Sequence, residues 1–347
     1  MAELSHRALR ELIEGFGGCD WYFTEMISAG ALVSGGRFES WYIDAGPCPG
    51  RVVYQLVGAE PDHLAAAAAF LNRYECAGID INMGCSAPAI TRTGAGVRWM
   101  ASVDRAGDLV DRVRKSTRRR LSVKLRIGLE DDFEYLLRFC RRLVEAGTEL
   151  ITLHPRTSRE KFRRRARWEY VGRLREALDI PVAGNGDVDS VAELLRRGAG
   201  GIPGEGAWDA VMAGRLAVRE PWVFARARAG QAGETGPGEA ELREAGPGSY
   251  TGRLSRLPAP KPPEFPAGAT GVDLEETGLR FLDLLARYQP PEFHLSRARR
   301  FFSYFCDNLT WAHYLKTLLG RETGLPGIAA RWSAYFREYP GERLLKP

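Results

Sequence analysis

Cys85 closes the segment Asp80-Ile81-Asn82-Met83-Gly84-Cys85 and is followed by Ser86 and a loop ending Thr93-Gly94-Ala95-Gly96. A thiol on a glycine-flanked loop just past an apolar run can serve as a general acid, because an ordinary pKa of about 8.5 keeps its proton on near neutral pH. A buried structural cysteine fits the same surroundings. Lys124, in SVKLRIG, sits near the end of another apolar run. An unpaired charge is costly to bury there, so the amine calls for an anionic or strongly accepting partner, such as a reduced flavin ring; alternatively its stem lies along the strand and its head reaches water. His154, in ITLHPRT, can exchange a proton near pH 7 or hydrogen-bond a flavin or a phosphate, and can equally be structural. Two glycine turns, Gly184-Asn185-Gly186-Asp187 and Met212-Ala213-Gly214-Arg215, offer backbone N–H groups to a phosphate, and Arg215 can add charge-assisted hydrogen bonds. Turns use glycine in any case, so neither alone is decisive.

Gln55, Asn82, Lys124, His154 and Asn185 lie at or near the ends of short apolar runs bounded by glycine or proline. Such runs predict strands at 21–24, 51–57, 79–82, 121–126, 150–154, 180–184 and 210–214, with amphipathic helices between them at 61–74, 133–146 and 190–197. Repeated βα units imply a parallel sheet with helices outside, and polar groups at the C-terminal ends of several strands are what the active face of a barrel requires. The expected fold class is therefore α/β, a (β/α)8 TIM-type barrel. Only seven strands are predicted, and the chain opens in a helical pattern at 5–15, so the first strand is expected to be missing. An open doubly wound sheet accepts the same pattern.

The chain of 347 residues has room for one barrel of ~250 residues and a smaller domain. Residues 1–229 are expected to form the barrel; 230–271, rich in Gly, Pro, Ala, Glu and Ser, a linker or insertion; and 272–347, purely helical in pattern, a small bundle. With 44% hydrophobic and 27% charged residues the composition is that of an ordinary soluble protein. No apolar run approaches the ~18 residues of a membrane span, and no export pattern opens the chain, so a cytoplasmic protein without a membrane partner is expected. Six cysteines without a C-x-x-C pair argue against a zinc site or a disulfide framework, and no metal is expected. A net charge of +5 leaves nucleic-acid binding open. The basic run at 159–168, with Phe162 and Trp168 interleaved, suits an RNA backbone track with stacking platforms as well as it suits a solvated loop. Arg297, Arg299 and Arg300 add a second basic cluster, which favours RNA.

Taken in order, these segments resemble the tRNA-dihydrouridine synthase family. The shared words are YFTEM (22–26), VVYQLVG (52–58), GIDINMGC (78–85), GAG (94–96), VKLRIG (123–128), LITLHPRT (150–157), IPVAGNGDV (180–188), VMAGR (211–215) and PWVF (221–224). The resemblance implies an FMN-binding barrel and a helical domain that holds tRNA, together reducing a uridine of tRNA to 5,6-dihydrouridine at the expense of NADPH. It makes Cys85 the proton donor to uracil and Asn82 a uracil contact. It assigns Gln55, Lys124 and His154 to the flavin ring, and Asn185, Gly186, Asp187, Gly214 and Arg215 to the ribityl phosphate. Hydride would pass from flavin N5 to uracil C6 and a proton from Cys85 to C5, with the uridine drawn out of the tRNA fold.

Four features depart from the family pattern: Ser86 in place of proline, the strongly basic 163–167, an extra stretch at 200–208, and the long 230–271. Two other readings stand beside this one. A free pyrimidine as substrate, in the manner of dihydroorotate dehydrogenases, leaves the helical tail without a use, and an inactive RNA-binding relative would lack flavin. The family's first strand ends in a word like A-P-M, so Met1 reads as that internal methionine, with the natural start expected roughly ten or more residues upstream.

Overall fold

A computed structural model describes residues 1–160, 163–233 and 271–345. Seven strands, β1 (Tyr22–Ser28), β2 (Val52–Val57), β3 (Gly78–Met83), β4 (Leu121–Arg126), β5 (Leu150–His154), β6 (Val182–Asn185) and a last strand Ala210–Met212, form one sheet. Each pairs in parallel with its neighbour in chain order. Helices Pro61–Leu71, Val103–Ser116, Phe133–Glu145, Glu169–Ala177 and Val191–Gly198 make the crossovers, which gives the curled sheet of a TIM-type barrel. Among the described residues β1 and Ala210–Met212 are its edges and do not pair with each other. The N-terminal residues lie between those edges: the amide of Glu3 donates to Glu25, and a Cβ on Gly214 would stand 3.2 Å from the sulfur of Met1.

Every residue of β2 and β3 is buried, which explains why these strands read as apolar runs rather than as alternating patterns. Side-chain oxygens of Ser102, Asp132 and Ser190 accept hydrogen bonds from the amides of Arg105, Tyr135 and Glu193, and so start three of the crossover helices. β1 runs to Ser28, four residues beyond the predicted end. Its register against β2 shifts between Phe23 and Met26, and the hydroxyl of Thr24 accepts from the amide of Gln55 at 3.0 Å. The extra stretch at 200–208 is a short antiparallel hairpin, Gly201–Ile202 with Gly206–Ala207, packed on helix Glu169–Ala177.

Beyond the barrel, helices Leu274–Tyr288, Pro291–Phe305, Ala312–Arg321 and Leu325–Glu338 form the expected bundle. Phe281 and Phe301 stack at 3.7 Å between ring centroids, with Phe302, Phe305 and Trp332 around them. This bundle shares one hydrophobic core with the barrel. Helix Arg7–Glu14 packs on Leu274–Tyr288, the guanidinium of Arg7 lies 3.8 Å from the ring centroid of Tyr288, and Trp222 meets both Phe16 and Phe305. Helix Val223–Gly233 extends into the segment expected to be a linker; the rest of that segment, 234–270, lies outside the described residues. No described helix is long and apolar enough to cross a membrane.

Candidate functional site

Parallel register puts the predicted site residues side by side. Gln55 pairs with Asp80 and Asp80 with Ser122; one layer on, Asn82 pairs with Lys124 and Lys124 with Thr152; next, Arg126 pairs with His154. Hydrogen bonds tie the first two layers together. Ser122 Oγ and Gln55 Nε2 each donate to the Asp80 carboxylate at 2.7 Å, and Asn82 Nδ2 donates to Gln55 Oε1 at 2.9 Å. Asn82 Oδ1 then accepts from the backbone amides of Gly84 at 3.2 Å and Cys85 at 2.9 Å.

Cys85 itself is half-buried on the loop past β3. Its carbonyl accepts from the amide of Val97 at 3.0 Å. Gly96, at φ 62°, must be glycine: the left-handed backbone disfavours a side chain, and a Cβ would run into the Cys85 carbonyl. Arg126 fastens the same loop from the other side, its Nε donating to the Gly84 carbonyl at 3.0 Å and its Nη1 to the Thr157 carbonyl at 3.2 Å.

Lys124 Nζ donates to Asn185 Oδ1 at 2.9 Å, and Asn185 Nδ2 donates to the Met212 carbonyl at 2.8 Å, so Asn185 links the second layer to the last strand. Burial lowers the Lys124 pKa to about 8, against the opposing pull of Asp80. Burial likewise raises that of Asp80 to about 6. His154 is lowered to about 2, first by burial and then by the cations Lys124, Arg126, Arg156 and Arg215 around it, so the ring is neutral. Arg156 Nη1 lies 3.0 Å from His154 Nε2; arginine only donates, which leaves the ring proton on Nδ1. A neutral imidazole beside four cations makes the surroundings locally positive.

Gly186, at φ 123°, brings its backbone against this ring; a Cβ there would stand 2.9 Å from His154 Cδ2. Gly214 caps the short helix Arg215–Arg219, and Arg215 is exposed. Thr152 Oγ1, fully buried in the Lys124 layer, has no hydrogen-bond partner among the described residues. A planar, hydrogen-bonding ring with an anionic tail would suit such a donor set. Among the described residues there is no cluster of His, Cys, Asp or Glu able to hold a metal.

Three expectations need correction. Arg297 does not face solvent: it is buried 2.9 Å from the carboxylate of Glu25, so it cannot meet a phosphate without breaking that pair. Arg299 and Arg300 are exposed, the former donating to the Glu322 carbonyl at 2.9 Å. Trp168 is no stacking platform; it is buried against Gly184, where a Cβ would overlap its ring, and beside Trp208 at 4.8 Å. Phe162 lies outside the described residues. The Asp187 carboxylate is taken by Arg156 Nη2 at 2.5 Å and the Ala166 amide at 2.7 Å, so its side chain joins two loops instead of facing a ligand. Glu160 pins the basic loop: it accepts two bonds from Arg167 at 2.9 Å and one from the Thr157 amide, and Arg167 first of all lowers its pKa to about 2. Arg163, Arg164 and Arg165 are left on the surface.

Asp80, Ser122, Arg126 and Arg156 belong to the site and were missed as site residues. Spacing held the signal for two of them. Asp80 lies two residues before Asn82 and Arg126 two after Lys124, each on the face of a flagged neighbour.

The chain is 32% identical over 197 residues to the "Probable tRNA-dihydrouridine synthase 1" of Synechocystis sp., a match covering 56% of this chain and little more than half, 55%, of that protein. It is 31% identical to the "Probable tRNA-dihydrouridine synthase" of Aquifex aeolicus, over 65% of this chain and 69% of that one. It is 30% identical to the "tRNA-dihydrouridine(16) synthase" of Cupriavidus necator, over 66% and 71% respectively. Residues 1–246 match the family model described as "Dihydrouridine synthase", and the chain belongs to that family.

Proposed function

We propose that this chain reduces a uridine of tRNA to dihydrouridine, with FMN bound at the strand ends and NADPH as reductant. The observation that carries the reading is the meeting, at one end of the barrel, of a thiol on a backbone-anchored loop with an anion-favouring cluster around His154. Bound FMN would supply the hydride chemistry, taking hydride from NADPH and giving it to uracil C6. The chain's own part is positional and protic. Gln55, Lys124 and His154 would face the ring, while Asn185, the backbone of Gly186 and Asp187, Gly214 and Arg215 would hold the tail. Asn82 would contact the uracil, and Cys85 would deliver a proton to C5. Purified protein should carry flavin absorbance that NADPH bleaches and tRNA restores. Mapping dihydrouridine along tRNA from wild-type and deletion cells tests the whole reading, and a deletion that leaves every dihydrouridine in place would refute it. Equal turnover of free uracil and tRNA would refute the tRNA part alone.

Lys124 gives a pH test. With its pKa near 8 in the protein alone, the amine loses its charge as pH rises through 8, while an anionic ligand favours the charged form. FMN affinity should therefore fall by about tenfold per pH unit above 8, until the pKa of the complex is reached. Lys124→Met should bind FMN more weakly and without that slope; titrations between pH 7 and 10 that show the same slope in both proteins would contradict it.

The exposed Arg299 and Arg300 of helix Pro291–Phe305 would be the cations this helix offers to RNA. Replacing both with Gln should reduce the slope of log affinity against log salt by about one to two, since each lost phosphate contact releases fewer counterions. FMN content should stay at the wild-type level. An unaltered slope would remove this helix from the docking surface.

A further inference from the structure

Asp80 has no task in the reading above, yet it is fully buried beneath the site, with both carboxylate oxygens engaged by Ser122 Oγ and Gln55 Nε2 at 2.7 Å. From there a line of hydrogen bonds runs through the side-chain amides of Gln55 and Asn82 to the backbone N–H of Cys85. The two ends of the line are chemically unambiguous. A carboxylate only accepts, and a backbone N–H only donates. Two amides in series satisfy both ends in one orientation only, with each NH2 toward Asp80 and each carbonyl toward Cys85. Turning either amide over would set donor against donor or acceptor against acceptor inside a buried site, where an unpaired group is costly.

We propose that Asp80 is a positioning residue: acting through Gln55 and Asn82, its carboxylate fixes the amide orientation that holds the loop of Cys85 at the barrel mouth. Val97 and Gly96 secure the carbonyl side of Cys85, whereas its N–H is held by Asn82 and the carbonyl of the same peptide, that of Gly84, by Arg126. Asp80 is buried with both oxygens taken by Gln55 and Ser122, so it acts through its neighbours; the effect on turnover rests on the reading of Cys85 as proton donor, and the effect on the loop does not.

The test compares wild type, Asp80→Leu, Asp80→Asn and Gln55→Met by three readouts: amide hydrogen exchange at Cys85, alkylation of Cys85 by iodoacetamide followed by peptide mass, and steady-state kinetics on tRNA. Asp80→Leu removes the terminal acceptor, so exchange at Cys85 should quicken at least about tenfold. Its alkylation rate should change, and kcat should fall while KM for tRNA holds. Asp80→Asn should keep exchange within about threefold of wild type, because its carbonyl can face Gln55 while its NH2 donates to the adaptable hydroxyl of Ser122. Gln55→Met cuts the line at its second member and should free the Cys85 amide as Asp80→Leu does, which also covers the case in which Asp80→Leu does not fold. Wild-type exchange at Cys85 in both Asp80→Leu and Gln55→Met would overturn the proposal, as would an Asp80→Asn protein as exposed as Asp80→Leu. A wild-type protein that forms no dihydrouridine, with the exchange pattern as expected, would overturn the function and leave the relay standing.

Discussion

Cys85→Ala should bind FMN and accept electrons from NADPH as wild type does, while turnover on tRNA drops by about 10²–10⁴-fold, the usual worth of a placed general acid. The split follows from what holds the loop. Its contacts are to the backbone amide and carbonyl of Cys85, from Asn82 and Val97, so removing the thiol leaves those bonds in place. The thiol would act only when uracil is protonated, after the cofactor has been reduced. Single-turnover mixing of the reduced enzyme with tRNA isolates that half-reaction. Dihydrouridine formed by the variant at the wild-type rate would end the assignment of Cys85 as the acid.

Arg297→Leu should destabilise the protein by about 3–5 kcal/mol, the usual cost of stripping one partner from a buried ion pair. The carboxylate left behind is Glu25, whose pKa burial already raises, with Arg297 the chief opposing influence. Without the guanidinium that pKa rises further. A carboxyl group with a raised folded pKa keeps its contribution at low pH and loses it as pH climbs, so the deficit should be smaller at pH 5 than at pH 8. The double variant Arg297→Leu with Glu25→Leu should recover much of the loss, since an apolar pair of similar volume suits a site also lined by Tyr42 and Phe293. Urea melts of the three proteins at both pH values check this; an Arg297→Leu protein as stable as wild type would show that the pair contributes nothing.

Arg297 shows where a sequence of this kind misleads. Three arginines within four residues read as one patch, but a helix has faces. Arg297 lies four residues from both Phe293 and Phe301, on the stripe that packs inward, whereas Arg299 and Arg300 point away. Trp168 was legible in the same way: Val171 and Leu174, three and six residues on, are buried with it. The barrel was easier to read, because parallel strands covered on both faces appear as apolar runs and their polar members then stand out at one end. Spacing puts Asp80 on the face of Asn82, but what it bonds stayed hidden for want of pairing information. Its partners Gln55 and Ser122 lie 25 and 42 residues away in the chain, and only strand register brings the three together. The C-terminal half of β1 was missed because polar Thr24 and Glu25, at its bulge, break the apolar run that marks the other strands.

The packing of helix Arg7–Glu14 on Leu274–Tyr288 has a consequence for how the molecule is made. This helix leaves the ribosome long before its principal neighbour Leu274–Tyr288 is synthesised, and Phe16 likewise waits for Trp222 and Phe305. Contacts so distant in sequence slow folding, and until they form the apolar face of Leu9, Leu12 and Ile13 stays open to aggregation. Growth of the chain through Leu274–Tyr288 thus sets the earliest moment at which this face is covered, and a nascent chain stalled before that helix would be a client for chaperones.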